Sequence, residues 1–319
     1  MSVIIAVASG KGGVGKTLIT ASLATALHRL GHTVLAADAD MGLRNLDLMF
    51  GLENDVLYDA GDILKGRCRS SEALLTIAPG FDFLAASQKH TWEKVDTPTY
   101  HYVIERLAKD YDYVILDCPP GRGQAFKDAI ALADRIFFVI EPSWASMRDA
   151  ARVMQFCHKR RRFNYDVLFN NFYRSASACV SLDEMLSILN PEGIAGVLPH
   201  DERANRAAQT GQIAHMPDGP FTKALAQTAA YIETGNLPDM EYLQTLLPDA
   251  EGIPDEEDGD SKDQTAAQQV MKEQAAAELQ RAAAALQRMT GAEKTPDAAV
   301  PAVLSLRSRR EQSASWRRR

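Results

Sequence analysis

Two lysines stand five residues apart in a stretch built mostly of glycine. Residues 9–17 read SGKGGVGKT, so that Lys11 and Lys16 are separated by Gly12, Gly13, Val14 and Gly15. Glycines let a backbone curl until successive N–H groups converge on phosphate oxygens. A lysine at the end of such a loop supplies a charge for the β- and γ-phosphates, and a following hydroxyl, here Thr17, ligates Mg²⁺. Gly10 opens the loop and Leu18 continues into a helical pattern. This chemistry needs only one lysine. Lys16 has the position for it, which leaves Lys11 to be explained.

Phosphoryl transfer also needs carboxylates near the metal and the attacking water. Two places offer them. VILDCPPG sets Asp117 at the end of an apolar run, and VLAADADMG sets Asp38 and Asp40 at the end of another. In an extended segment, residues two apart point to the same side. Each acid taken alone could simply cap a loop at a strand end. Together with the glycine-rich loop they form one constellation.

The elements that would position these groups alternate along the chain. VIIAVAS, HTVLAADAD, YDYVILDCPP, DRIFFVIEP, YDVLFNN and GIAGVLPH are short apolar runs of strand length, and KTLITASLATALHRLG and SMRDAARVMQFCHKRR are helical patterns between them. Continuous apolar strands separated by helices imply an α/β fold, a doubly wound and mostly parallel sheet covered on both faces. The glycine-rich loop falls between a strand and a helix, the context in which a phosphate-binding pattern becomes a site, with the helix N-terminus adding its positive end. Residues 1–247 are expected to form this domain. Residues 248–265 read as an acidic linker, and residues 266–319 as an Ala/Gln-rich helical segment with a basic tail, open to disorder.

Composition narrows the class further. The 319-residue chain carries a formal charge of −7 and is 46% hydrophobic, which permits a sizeable core and makes it no general polyanion binder. Its four cysteines form no C-x-x-C pair and its seven histidines no H-x-x-x-H pair, so reduced thiols and no histidine metal site are expected. The opening MSVIIAVASG lacks a basic leader, and no apolar stretch has the length of a membrane span.

With these residues in view, a family resemblance emerges. KGGVGKT resembles the deviant Walker A box of the MinD/ParA superfamily of dimerising ATPases, and DADMGLRNLDLMFGLEN, VLYDAGDILKGRC and GVLPHDERANRAAQTGQ are similar to its MinD branch, whose members place the bacterial division septum. The likeness runs over roughly residues 2–237, about three quarters of the chain. It implies ATP and Mg²⁺ as ligands, slow partner-stimulated hydrolysis, and a homodimer that sandwiches two ATP molecules. Lys11 would then reach the phosphates held by the partner subunit, Asp40 would position the attacking water, Asp38 would lie beside the Mg²⁺ shell, and Asp117 would hold Mg²⁺ through water. Asn170 would meet adenine, and Pro199 and Asp201 would border the base. Many relatives follow that asparagine with arginine, whereas Asn171 follows here.

The same resemblance implies a MinC-like inhibitor and a MinE-like or other activator as partners, and a cytoplasmic location with reversible residence at the inner face of the cell membrane. Related alternatives are a flagellar-number or a chromosome-partitioning ATPase of the superfamily, or a nucleotide-binding scaffold without turnover. The tail departs from the family pattern. PAVLSLRSRREQSASWRRR gathers no apolar helical face, yet six arginines stand among its last 13 residues. At about 1 kcal/mol each near an anionic surface they could hold a membrane; nucleic acid binding or plain solubilisation stays open. The HKRRRF run at residues 158–163 fits a helix C-terminus, where cations complement the dipole, with a DNA surface as its alternative.

Overall fold

The computed structural model describes residues 2–174 and 180–249; the basic tail, the Ala/Gln-rich segment and the acidic linker beyond residue 249 lie outside the described residues. Eight strands, β1 (Val3–Ala8), β2 (Val34–Asp38), β3 (Leu74–Ala78), β4 (Phe81–Leu84), β5 (Tyr113–Asp117), β6 (Arg135–Ile140), β7 (Tyr165–Phe172) and β8 (Ile194–Pro199), form one sheet in the order β3-β4-β2-β5-β1-β6-β7-β8. Every neighbouring pair is parallel except β3 with β4. The helices are α1 (Lys16–Arg29), α2 (Leu46–Phe50), α3 (Ala60–Leu64), α4 (Thr97–Leu107), α5 (Gln124–Leu132), α6 (Trp144–Lys159), α7 (Leu182–Leu189), α8 (Glu202–Gln209), α9 (Pro220–Thr234) and α10 (Met240–Thr245).

The apolar runs form strands because helices cover both faces. Every residue of β2, β5 and β6 is buried, as expected for central parallel strands. Helix α1 is buried on several sides at once, between the sheet and α9, which explains its small residues Ala21, Ser22, Ala24 and Thr25. The β3–β4 hairpin is an addition that the apolar runs do not reveal. Its outer strand, LLTIA, is a short apolar run whose residues are only partly buried, and it carries a bulge between Thr76 and Ala78.

Chain crossovers leave β1 in the sheet centre, flanked by β5 on one side and β6 on the other. In open α/β sheets, ligands bind beyond the C-terminal ends of the strands where the winding reverses. The glycine-rich loop leaves β1 at this point, and Asp117 and Asp38 end β5 and β2 beside it, at paired register positions.

The opposite end of the sheet is held differently. Arg135, at the start of β6, makes a 2.7 Å ion pair with Asp166 in β7, both buried. The guanidinium lies 4.0 Å from the Tyr231 ring centroid, and the Tyr231 hydroxyl donates to Asp166 at 3.1 Å. Removing one member of such a pair strands a buried charge, whereas replacing both is less costly. Asp166→Ala is therefore expected to destabilise the fold by about 3–5 kcal/mol, measured by urea denaturation, with nucleotide-site chemistry intact in the folded fraction.

Candidate functional site

The loop that leaves β1 has the backbone its glycines permit. Gly13 and Gly15 have φ of 83° and 85°, the left-handed region that side chains resist. Gly10 is needed for room, since a Cβ there would meet the Asp149 carbonyl oxygen at 2.4 Å. Nothing lies within 4 Å of where a Cβ would stand on Gly12 or Gly13, so this side of the loop is open to solvent. Ser9 is buried; its hydroxyl donates to the Lys11 carbonyl, and its own carbonyl accepts from the Gly121 N–H at 3.1 Å. Helix α1 then begins with no side-chain cap and no acid in its first turn, leaving its positive end available.

The two lysines are disposed in opposite ways. Lys16 is 8% exposed and lies near Asp117 and Asp40, whose carboxylates its charge favours. Lys11 is exposed at the rim, and its charge acts on Glu141, just past the end of β6. Val14 between them is fully buried, while Leu18 is half-buried against the core.

Asp117 is 3% exposed and accepts from two hydroxyls, Thr17 Oγ1 at 2.7 Å and Thr20 Oγ1 at 3.3 Å. Thr20 is absent from the motif reading. The signal available for it was its spacing, three residues beyond Thr17 and so on the same face of α1. Burial pushes the Asp117 carboxyl up to about 7, with the Asp38 charge adding to the rise and Thr17 and Lys16 opposing it.

Asp38 has a different environment. Its Oδ1 accepts from the Asp40 N–H at 2.7 Å, and its Oδ2 accepts from the N–H groups of Asn45 at 2.9 Å and Leu46 at 3.1 Å. Burial raises it to about 6 against these three hydrogen bonds. Strand β2 ends at Asp38, so Asp40 lies in a turn and the alternation of an extended chain no longer relates the two side chains. Asp38 is folded onto the loop that follows it, whereas Asp40 is half-buried at the edge of the site, raised by burial and lowered by Lys16.

Asn170 is brought to the loop, where its Nδ2 donates to the Val14 carbonyl at 3.0 Å. Its neighbour Asn171, at φ 64°, pairs through Oδ1 with Nδ1 of His200, whose ring stacks on Tyr173. Pro199 ends β8, and Asp201 caps α8, accepting from the Arg203 N–H at 2.9 Å and from the Arg203 guanidinium at 2.8 Å. His200 and Asp201 line an open cleft with Tyr173 and Arg174.

The basic run after α6 is largely used within the fold. The Arg160 guanidinium covers the Phe156 ring at 3.8 Å, and Arg162 donates to the Ile130 and Ala131 carbonyls at the end of α5. Cys68, Cys118 and Cys157 are free thiols; burial pushes Cys157 up to about 12 and Cys118 further. Among the described residues no helix is long and apolar enough to cross a membrane.

The arrangement fits a magnesium-bound polyphosphate. It has an open cradle of backbone, a buried lysine, a bare helix end and a hydroxyl beside a buried acid. Mg²⁺ at phosphate sites takes only one or two protein oxygens and completes its shell with water and phosphate, so Thr17 and Asp117 suffice.

Asp38 and Asp117 both have carboxyls raised above the unfolded value, so their ionisation opposes folding. Their contribution to stability is largest below the unfolded pKa and is lost as pH rises toward about 7. In chelator and without nucleotide, Asp117→Asn is expected to flatten the fall in melting temperature between pH 5 and pH 7.5. Parallel melting curves for the two proteins would contradict this.

A family described as an AAA domain matches residues 2–167. The septum site-determining protein MinD of Synechocystis sp. is 34% identical over 259 residues, 77% of this chain and 96% of that protein. Among solved structures, the MinC:MinD cell division protein complex of Aquifex aeolicus superposes with a TM-score of 0.68 at 32% identity, covering 75% of this chain and 98% of that one. MinD complexed with Mg-ADP from Pyrococcus horikoshii gives a TM-score of 0.65 at 27% identity, covering 73% and 96%. By its sequence, its sheet order and its glycine-rich loop, the chain belongs to the MinD/ParA family of P-loop ATPases, on the MinD branch.

Proposed function

We propose that this ATPase works as a dimerisation switch for septum placement, binding Mg-ATP, pairing through its nucleotide face and hydrolysing slowly until a partner accelerates it. The observation that carries the reading is the opposite disposition of the two lysines. Lys16 is buried beside Asp40 and Asp117 and serves the subunit's own ATP. Lys11 is at the exposed rim of the same loop, where only a second molecule brings it a new charge to meet.

In this reading the backbone N–H groups from Gly12 to Leu18 and the Lys16 ammonium bind phosphate. Thr17 and Asp117 would hold Mg²⁺. When bound, the metal neutralises charge shared by the β- and γ-phosphates. Asp40 orients the attacking water. Asp38 keeps the loop around Asp40 in place through its three backbone hydrogen bonds. Lys11 of the partner stabilises the charge that develops in the transition state, as an arginine finger does. Asn170 acts first on the loop, holding Val14, and borders the adenine from that position.

The relatives' names support the wider setting. A MinD bound to MinC and a MinD bound to Mg-ADP are both close structural neighbours. A MinC-like inhibitor, and a MinE-like or other activator, are the corresponding partners for this chain. The arginine-rich tail is its contact with anionic membrane.

Lys16→Ala is expected to weaken ATP binding roughly 10- to 100-fold by calorimetry, the loss of a charge-assisted contact to phosphate. Lys11→Ala should bind ATP as the parent does and fail to dimerise with it by light scattering; normal ATP-dependent dimers would sink the trans role. With anionic liposomes, the full chain should sediment with ATP and not with ADP, and a chain ending at Asp249 with neither. Loss of phosphate release under every condition, including partner and lipid, would favour a scaffold instead.

A further inference from the structure

The peptide unit that leads into Asp40 is held at both of its polar ends. Its N–H, on Asp40, donates to Asp38 Oδ1 at 2.7 Å. Its carbonyl, on Ala39, accepts from the indole Nε1 of Trp92 at 2.8 Å. The Ala39 N–H in turn donates to the Asp117 carbonyl at 2.9 Å. Ala39 is fully buried, so its carbonyl has no water to turn to if the indole is removed.

Trp92 is itself fixed. It is 9% exposed in a short 3-10 turn, Trp92–Lys94, and its ring meets Tyr100 of α4 edge-on at 5.1 Å. The segment that precedes it grips the rest of the loop. The Gly42 N–H donates to the Ser87 carbonyl at 2.7 Å, and the Ser87 N–H to the Met41 sulfur at 3.3 Å. Thr91 Cγ2 lies 3.4 Å from where a Cβ on Gly42 would stand. A wall running from Ser87 to Trp92 thus carries one side of the loop, and Asp38 carries the other.

We propose that Trp92 is a positioning residue for ATP hydrolysis: its indole N–H sets the plane of the Ala39–Asp40 peptide and through it the direction of the Asp40 carboxylate. The inference rests on the reading of Asp40 as the group that orients the attacking water. A ring of similar shape would fill the space, but only a donor at this atom holds the carbonyl. Turning the peptide plane moves the carboxylate relative to the phosphates, and displacements of about 1 Å at a reacting centre cost up to about 100-fold in rate. Nucleotide affinity depends on the glycine-rich loop and Lys16, which Trp92 does not touch.

The test compares Trp92→Phe with the parent in the full chain. Single-turnover hydrolysis with saturating Mg-ATP should fall about tenfold, with the ATP dissociation constant unchanged within about twofold. A second variant removes the donor alone: β-(3-benzothienyl)alanine, in which sulfur replaces the indole N–H, incorporated at residue 92 of a Trp144→Phe, Trp316→Phe chain and compared with tryptophan in that same chain. It should show the same fall, with an unchanged ATP dissociation constant and a melting temperature lowered only by the few degrees that one unpaired buried carbonyl costs. Full hydrolysis in either folded variant overturns the assignment. So does a loss in which rate, affinity and melting temperature fall together. Asp40→Asn, measured alongside, separates the two readings. If it hydrolyses ATP at the parent rate, the Asp40 role fails and this inference with it. If it is slow while Trp92→Phe is not, the Trp92 assignment alone fails. The double variant should be no slower than Asp40→Asn; an additive loss would mean that Trp92 acts through another group.

Discussion

Two carboxylates buried side by side set the terms for the rest of the site. Asp38 and Asp117 are register partners at the ends of adjacent parallel strands; burial raises both pKa values, and on top of it the Asp38 charge raises Asp117 while the Asp40 charge raises Asp38. Buried like charges of this kind are tolerated only if each finds donors. The two acids find different ones. Asp38 takes three N–H groups from the chain that follows it, which are fixed by the backbone. Asp117 takes two hydroxyls from α1, which can rotate toward another acceptor. Asp38 is therefore committed to shaping a loop, and Asp117 remains available to a cation. Identical residue types at matching strand ends receive separate tasks from the donors around them.

The parts of this arrangement legible in the sequence are those written as local pattern. SGKGGVGKT sits between an apolar run and a helix, and Gly13 and Gly15 mark positions where φ is positive and Gly10 one where Asp149 leaves no room. Asp117 and Asp38 end apolar runs, so their placement follows once the sheet is parallel. What escaped was set by tertiary packing. Trp92 and the Asn170 amide act across 53 and 156 residues of chain, through single hydrogen bonds that leave no spacing to read, and Thr20 offered only its spacing from Thr17. The β3–β4 hairpin escaped although LLTIA and FDFL are apolar, because two runs of only five and four residues are too short to tell a strand from other buried chain by periodicity. The alternation argument for Asp38 and Asp40 failed at the one residue where the strand stops.

Lys11 and Lys16 show the same division between local and distant causes. Both belong to one loop and neither is unusual in type. Burial of Lys16 follows from the start of α1, which points its side chain back over the loop toward the two acids. Exposure of Lys11 follows from the loop leaving the sheet at Gly10, where Asp149 blocks any closer path. The Lys11 charge acts on the nearby Glu141. Lys11 is exposed at the rim of the loop, whereas Lys16 acts on Asp117 and Asp40.

The loop that carries Asp40 is not free to move alone. It runs into α2, where Arg44, at φ 55°, makes a 2.6 Å ion pair with Asp47. Helix α2 ends at Gly51, and Gly51 touches Gly211 just beyond α8 so closely that a Cβ on Gly211 would lie 2.5 Å from the Gly51 Cα. Helix α8 in turn starts from Asp201, beside the His200–Asn171 pair. Close-packed contacts of this kind shift as units because they have no slack to absorb a displacement. A rearrangement at Asp40 is therefore shared with α2, whose exposed Leu48 and the neighbouring exposed Leu43 form part of the outer surface. The segment after Asp40 and the surface bearing Leu43 and Leu48 thus share one tightly packed frame, in which a Cβ on Gly211 would lie 2.5 Å from the Gly51 Cα.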